Sequence, residues 1–96
     1  MVTSMRLTKE DATAAAKDDL AQRIGVNETV IEELSVSEQD FPDMSLGAPV
    51  DGEMSAQMIS TGWEIDLGAK GKTYKYRADK YQVRLVDFDG QNYVVR

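Results

Sequence analysis

Residues 63–78 read Trp63-Glu64-Ile65-Asp66-Leu67-Gly68-Ala69-Lys70-Gly71-Lys72-Thr73-Tyr74-Lys75-Tyr76-Arg77-Ala78. Trp63, Ile65 and Leu67 alternate strictly with Glu64 and Asp66. After a short loop from Gly68 to Gly71, Tyr74, Tyr76 and Ala78 alternate with Lys75 and Arg77. A period of two sends successive side chains to opposite faces, so each half is a half-buried strand and the pair is an antiparallel hairpin. The aromatic and aliphatic side chains are expected inside, and the charges on the solvated face.

The pattern continues on the C-terminal side. Ala78 to Tyr81 turns the chain into a further strand, Gln82 to Phe88, and Asp89-Gly90 marks a tight hairpin leading to Tyr93, Val94 and Val95. Towards the N-terminus the period changes. Thr8 followed by Lys9, Glu10 and Asp11 has the form of a helix cap, with Asp11 placed to complete a capping box and Leu7 placed to staple onto Ala12. Ala12, Ala16, Leu20 and Ile24 then recur every four residues, with Asp19 and Arg23 as an outward i,i+4 pair, until Gly25 ends the helix. Residues 1–7 are expected to be a flexible arm.

Between helix and hairpin the reading is less regular. Ile31 to Glu38 is expected as a strand with Leu34 and Val36 on its buried side, although a helical reading of the same stretch stays open. Met54, Ala56 and Met58 alternate as a short strand would, before a break at Ser60 to Gly62. The whole is expected to be a single α+β domain, with one N-terminal helix packed on an antiparallel sheet of four to five strands.

Composition removes several chemistries. The 96 residues contain no cysteine and no histidine, so thiol catalysis, Ser-His or Cys-His nucleophiles, thiolate clusters and imidazole-bound zinc have no atoms to build them. No cofactor or metal is expected. No apolar run is long enough for a membrane span, and the opening MVTSMRLTKE lacks the apolar region of a secretory signal, which is compatible with a leader removed beforehand. The net charge of −6 is unevenly placed: residues 1–66 carry four bases against fourteen acids, residues 67–96 seven bases against three acids. Packing helix on sheet would neutralise part of that asymmetry.

Two charged groups invite a functional reading. Asp40, Asp43, Asp51 and Glu53 could converge on a hard cation such as calcium, but their spacing fits no calcium loop, and turn-forming or solvated acids are the plainer account. Lys70, Lys72, Lys75, Arg77, Lys80 and Arg84, interleaved with Tyr74, Tyr76 and Tyr81, could bind single-stranded nucleic acid. The alternation argues against it, because it turns the rings away from the charges. Nucleic acid is therefore not an expected partner. No phosphate-binding glycine loop or strained nucleophile turn is present, so the domain is expected not to be an enzyme.

Both prolines lie in Phe41–Gly52, FPDMSLGAPVDG. Pro42 and Pro49 force the residues before them toward extended geometry and stiffen the segment. One reading makes Phe41, Pro42, Asp43, Met44, Ser45, Leu46 and Pro49 a preorganised surface for a protein partner, with Met44, Ser45 and Leu46 presented outward. Met44, Met54 and Met58 could add an adaptable apolar surface, although core filling is the plainer expectation for Met54 and Met58. An equal reading makes the loop a crossover anchored by Phe41 and Leu46 in the core. Burial of Leu46 separates the two.

Ala16 to Val26, Phe41-Pro42-Asp43, Ser45-Leu46-Gly47, Pro49, Gly52, Gln57 and Gly62-Trp63 together resemble a family of small exported bacterial and archaeal domains without an assigned function. The resemblance spans roughly residues 13–80. It implies a tryptophan where Phe41 stands and a disulfide-forming cysteine where Ala48 stands, so the bridge cannot form and an extracytoplasmic location is put in question. The helix-then-sheet order is similar to PepSY-type domains, which at the level of fold alone implies a peptidase-inhibitor or propeptide-like role, through the loop or an adjacent strand edge.

Overall fold

A computed structural model of the protein describes residues 6–96. Helix α1 (Lys9–Ile24) is followed by a 3-10 turn (Glu28–Val30) and by strands β1 (Glu32–Phe41), β2 (Ser60–Ala69), β3 (Lys72–Ala78), β4 (Val83–Phe88) and β5 (Gln91–Val94). The strands pair in the order β1-β2-β3-β4-β5, each antiparallel to the next. The result is one helix on a five-stranded meander, an α+β arrangement.

The helix begins and ends on the signals its sequence carries. Thr8 Oγ1 accepts from the Asp11 amide and the Asp11 carboxylate accepts from the Thr8 amide, both at 3.1 Å, which completes the capping box. Gly25 takes the left-handed conformation at the other end, and its N–H donates to the Ala21 carbonyl. Ala12, Ala16 and Leu20 are buried against Ile65, Leu67, Tyr76, Val83 and Leu85. Alanine keeps the helix close to the sheet, so the large side chains of the sheet supply most of the apolar area. Each fully buried aliphatic side chain contributes about 1.5–3 kcal/mol relative to exposure.

A polar contact ties the two layers together. Tyr76 is fully buried with its hydroxyl donating to the Asp19 carboxylate at 2.8 Å, and Arg23 donates to the same oxygen at 2.7 Å. Burial, reinforced by the adjacent carboxylate, holds the Tyr76 hydroxyl well above the usual phenol range. Arg23 then lies 4.5 Å from the Tyr93 ring centroid, joining the last turn of α1 to β5.

The central hairpin forms as expected, but its loop is shorter. Ala69 pairs with Lys72, leaving only Lys70-Gly71, with φ of 52° and 76°. Asp89-Gly90 repeats the same pattern between β4 and β5, at 53° and 82°. Positive φ at both central residues is what a type I′ turn requires, and its twist matches that of the strands it joins.

Four expectations are corrected. Leu34 is half exposed rather than buried: a bulge between Glu33 and Ser35 leaves it unpaired, and its side chain lies over Gly68 on the face away from α1. Residues 54–58 form no strand, since β2 already has β1 and β3 on its two sides, and Met54 and Met58 are exposed. Ser60 to Gly62 is no break but the start of β2. A Cβ on Gly62 would stand 1.9 Å from the Ala78 carbonyl oxygen, so the missing side chain lets the two backbones meet. Of the expected arm, residues 1–5 lie outside the described residues. Leu7 is docked, buried in the core with its amide donating to the Lys80 carbonyl at 2.7 Å.

Candidate functional site: a loop held through its carbonyls

Alternation along β3 and β4 puts Arg77 and Arg84 on the face of the sheet opposite α1. The 41–53 segment folds over that face. Phe41, Leu46 and Ala48 are buried beneath it, as a small apolar layer separate from the main core. The solvated charge face expected for these two arginines is thus covered, because the loop needs hydrogen-bond donors beneath it.

Its backbone is taken up one carbonyl after another. Gln82 donates to the Met44 carbonyl at 2.6 Å, Arg77 Nη1 to Leu46 and Gly47 at 3.0 and 3.2 Å, Arg84 Nη1 to Ala48 at 3.1 Å, and Asn92 to Pro49 at 2.9 Å. A loop laid on a sheet face loses water from its carbonyls, and each unpaired one would cost about 1–3 kcal/mol. Side chains from β3, β4, β5 and the β3–β4 turn remove that cost. Arg77 also lies 5.6 Å from the Phe41 ring centroid, and its Nε is 3.6 Å from Glu64.

The loop supplies its own acids at two points. Asp43 Oδ1 accepts from the Ser45 hydroxyl at 2.6 Å, the Ser45 amide at 2.9 Å and the Gly47 amide at 3.3 Å. The Ser45 hydroxyl, ahead of the Gly47 amide, holds this carboxyl below its ordinary value. Glu53 meets Arg84 end-on, Nη1 to Oε1 at 2.6 Å with Nη2 on Oε2, while Arg84 Nε donates to Gln82. Arg84 is only 4% exposed, and its hydrogen bonds hold the Glu53 carboxyl below the ordinary range.

The residues singled out from the sequence therefore separate. Phe41, Ser45 and Leu46 are buried, and in this conformation Ser45 and Leu46 are not available to a partner; Leu46 serves as an anchor. Pro42 and Pro49 are exposed, and Asp43 and Met44 half-buried. Nor do the four acids come together. Asp40 accepts from Thr61, Asp43 closes its own turn, Glu53 is on Arg84 and Asp51 faces solvent. Among the described residues no group of three or more acids is placed to hold a metal ion. Gln82 and Asn92 were missed, and Arg77 and Arg84 were read only as solvated charges. Their signal was a pair of strand arginines and two amides opposite a long acidic segment with no regular structure of its own.

Beside the clamp lies an apolar surface. Met54 is 98%, Met58 63% and Ile59 74% exposed. The Met44 amide donates to the Ala56 carbonyl at 3.0 Å, so this segment borders the loop. Among the described residues no helix is long and apolar enough to cross a membrane.

A helix on one face of a five-stranded meander, with a carbonyl-held loop on the other, defines a small α+β domain. A family model described as a domain of unknown function (DUF8738) matches residues 13–87, from α1 into β4, and the chain belongs to that family. No curated protein and no solved structure gives a match.

Proposed function

We propose that this is a non-enzymatic domain that binds a protein partner through residues 54–59 and the adjoining rim of the loop, at Pro42, Met44 and Pro49. What carries this reading is the exposure of Met54, Met58 and Ile59 within six residues, next to a loop fixed by five carbonyl contacts. Three large apolar side chains exposed within six residues contribute little burial to the fold, and methionine adapts its shape to a partner. A rigid border lowers the ordering cost of binding. The buried polar groups around the loop support the non-enzymatic reading, since they are engaged in holding backbone.

The test is covalent capture from the source cells with the wild type and with Met54→Asp/Ile59→Asp, followed by titration of any captured protein in purified form. A partner bound by the wild type and about tenfold or more weaker with the variant supports the proposal. Equal binding by both overturns it.

A second reading is a peptidase inhibitor of the PepSY-like kind. It is favoured by the irregular, exposed course of residues 54–59, which an enzyme cleft can accept as an extended strand. A panel of metallo-, serine and cysteine peptidases, assayed with the same two proteins, decides it: inhibition lost in the variant supports this reading, and no inhibition by the wild type ends it.

A further inference from the structure

The two edges of the sheet are treated differently. β5 has four residues and is secured by Asn92 to the loop and by Arg23 over Tyr93. β1 has ten residues and, among the described residues, pairs only with β2. Among the described residues no backbone hydrogen bond joins its outer edge to another element. Proteins protect such edges by shortening them, by placing charged residues or proline on them, or by bulges that twist them away. β1, Glu-Glu-Leu-Ser-Val-Ser-Glu-Gln-Asp-Phe, is long and has no proline and no base; its guards are the bulge at Leu34 and four acids, which repel another acidic strand but not a basic one.

Its charge selects what can add there. The register puts Glu33, Val36, Glu38 and Asp40 on the α1 side, opposite Leu67, Ile65, Trp63 and Thr61. Lys17 pairs with Glu33 at 3.2 Å, whereas Glu32 and Glu38 have no ion pair among the described residues. A second copy adding its own β1 would set four acids beside four, and like charges across strands are destabilising. The opposite face of the edge carries Ser35, Ser37 and Gln39, and past the bulge Leu34 and Val30, each about half exposed, lie with Glu32 around a shallow depression beside Gly68.

We infer that β1 is a docking edge for an extended segment of another protein that carries lysine or arginine at alternate positions. The segment would add antiparallel or parallel to β1 through main-chain hydrogen bonds. Its basic residues would face Glu38 and Asp40, and an apolar residue would meet Leu34 and Val30. This surface is distinct from residues 54–59 and stands whether or not that patch binds a partner.

The test uses the purified chain and three labelled peptides as long as β1: one alternating lysine with valine and threonine, its glutamate counterpart, and the lysine peptide with central prolines that prevent strand pairing. Fluorescence anisotropy measures binding and hydrogen exchange locates it. The expected result is binding of the lysine peptide alone, about tenfold or more tighter than the proline form, with new amide protection confined to β1. Binding should also weaken in Glu38→Lys/Asp40→Lys, a surface variant whose fold is checked by circular dichroism. Equal binding of the lysine and proline peptides would reduce the effect to charge alone and overturn the inference. Protection elsewhere, no binding, or dimerisation of the free protein through β1 would overturn it too.

Discussion

Arg84, in the middle of the sheet, and Glu53, at the end of the loop, meet in a two-armed ion pair from which solvent is almost excluded on the arginine side. Arg84 also holds Ala48 and Gln82. Truncating it leaves a carboxylate and a loop carbonyl without their donor. Arg84→Ala is expected to cost about 2–4 kcal/mol, and Glu53→Gln less, about 1–2 kcal/mol, since the amide keeps one arm. Urea denaturation with both variants checks the order.

The same carboxylates set the acid side of the stability profile. Glu53 and Asp43 have folded values below their ordinary 4.5 and 3.8. A depressed carboxylate contributes its stability in full above the unfolded value and loses it as pH falls through the folded one. Stability is therefore expected to be level above about pH 5 and to decline below the ordinary carboxylate range. Glu53→Gln should flatten that decline, as read from urea midpoints across acid pH.

Tyr76 acts on the alkaline side. Its hydroxyl is raised above the ordinary 10.0 by burial and by Asp19. The protonated form is favoured in the folded state, so this contribution is complete below the unfolded value near pH 10 and is lost as pH rises above it. Tyr76→Phe should cost about 1 kcal/mol at neutral pH and weaken the alkaline fall in stability. Phenolate absorbance from Tyr76 should appear together with unfolding.

Leu46 and Met54 offer a paired comparison. Leu46 is fully buried although it belongs to a loop, so Leu46→Ala should cost about 2–4 kcal/mol. Met54→Ala should stay within about 0.5 kcal/mol. Thermal or urea unfolding distinguishes a loop that is part of the packing from one merely resting on the surface.

Gly62→Ala is expected to be the most damaging of the small substitutions. Its Cβ would meet main-chain atoms of Ala78 and Asp79, which cannot rotate away. A loss of about 3 kcal/mol or more follows, as overpacking against backbone is relieved only by separating β2 from β3. Soluble yield and unfolding midpoint measure it.

Much of the architecture is local and therefore readable. The capping box at Thr8 and Asp11, Gly25 at the helix end, the strand alternation from Trp63 to Ala78 and the Asp89-Gly90 turn each specify their own backbone within a few residues. The loop face is not local. Arg77 and Arg84 alternate with apolar residues as solvated charges do, and nothing nearby in the chain announces that a segment about 30 residues earlier will cover them. The bulge at Leu34 depends on where the β1–β2 register slips, and the fate of residues 54–58 on which sheet edges remain free. Both are properties of the assembled sheet. For the same reason the Phe41–Gly52 segment was recognisable as stiff, while the burial of Leu46 and exposure of Ile59 were not.

The loop is gripped by its main chain, and main-chain carbonyls are the same in every residue. Between the Pro49 contact to Asn92 and the Glu53 contact to Arg84, the turn at Val50, Asp51 and Gly52 carries no such restraint from the sheet. Lengthening a closed loop adds only about 0.6 kcal/mol per doubling. The turn's own bonds are local, the Val50 amide to the Glu53 carboxylate at 3.3 Å and the Glu53 amide to the Val50 carbonyl at 3.1 Å. Foreign sequence placed there would give up those two contacts and keep the ends held by Asn92 and Arg84, which makes the turn a graft position for a display scaffold.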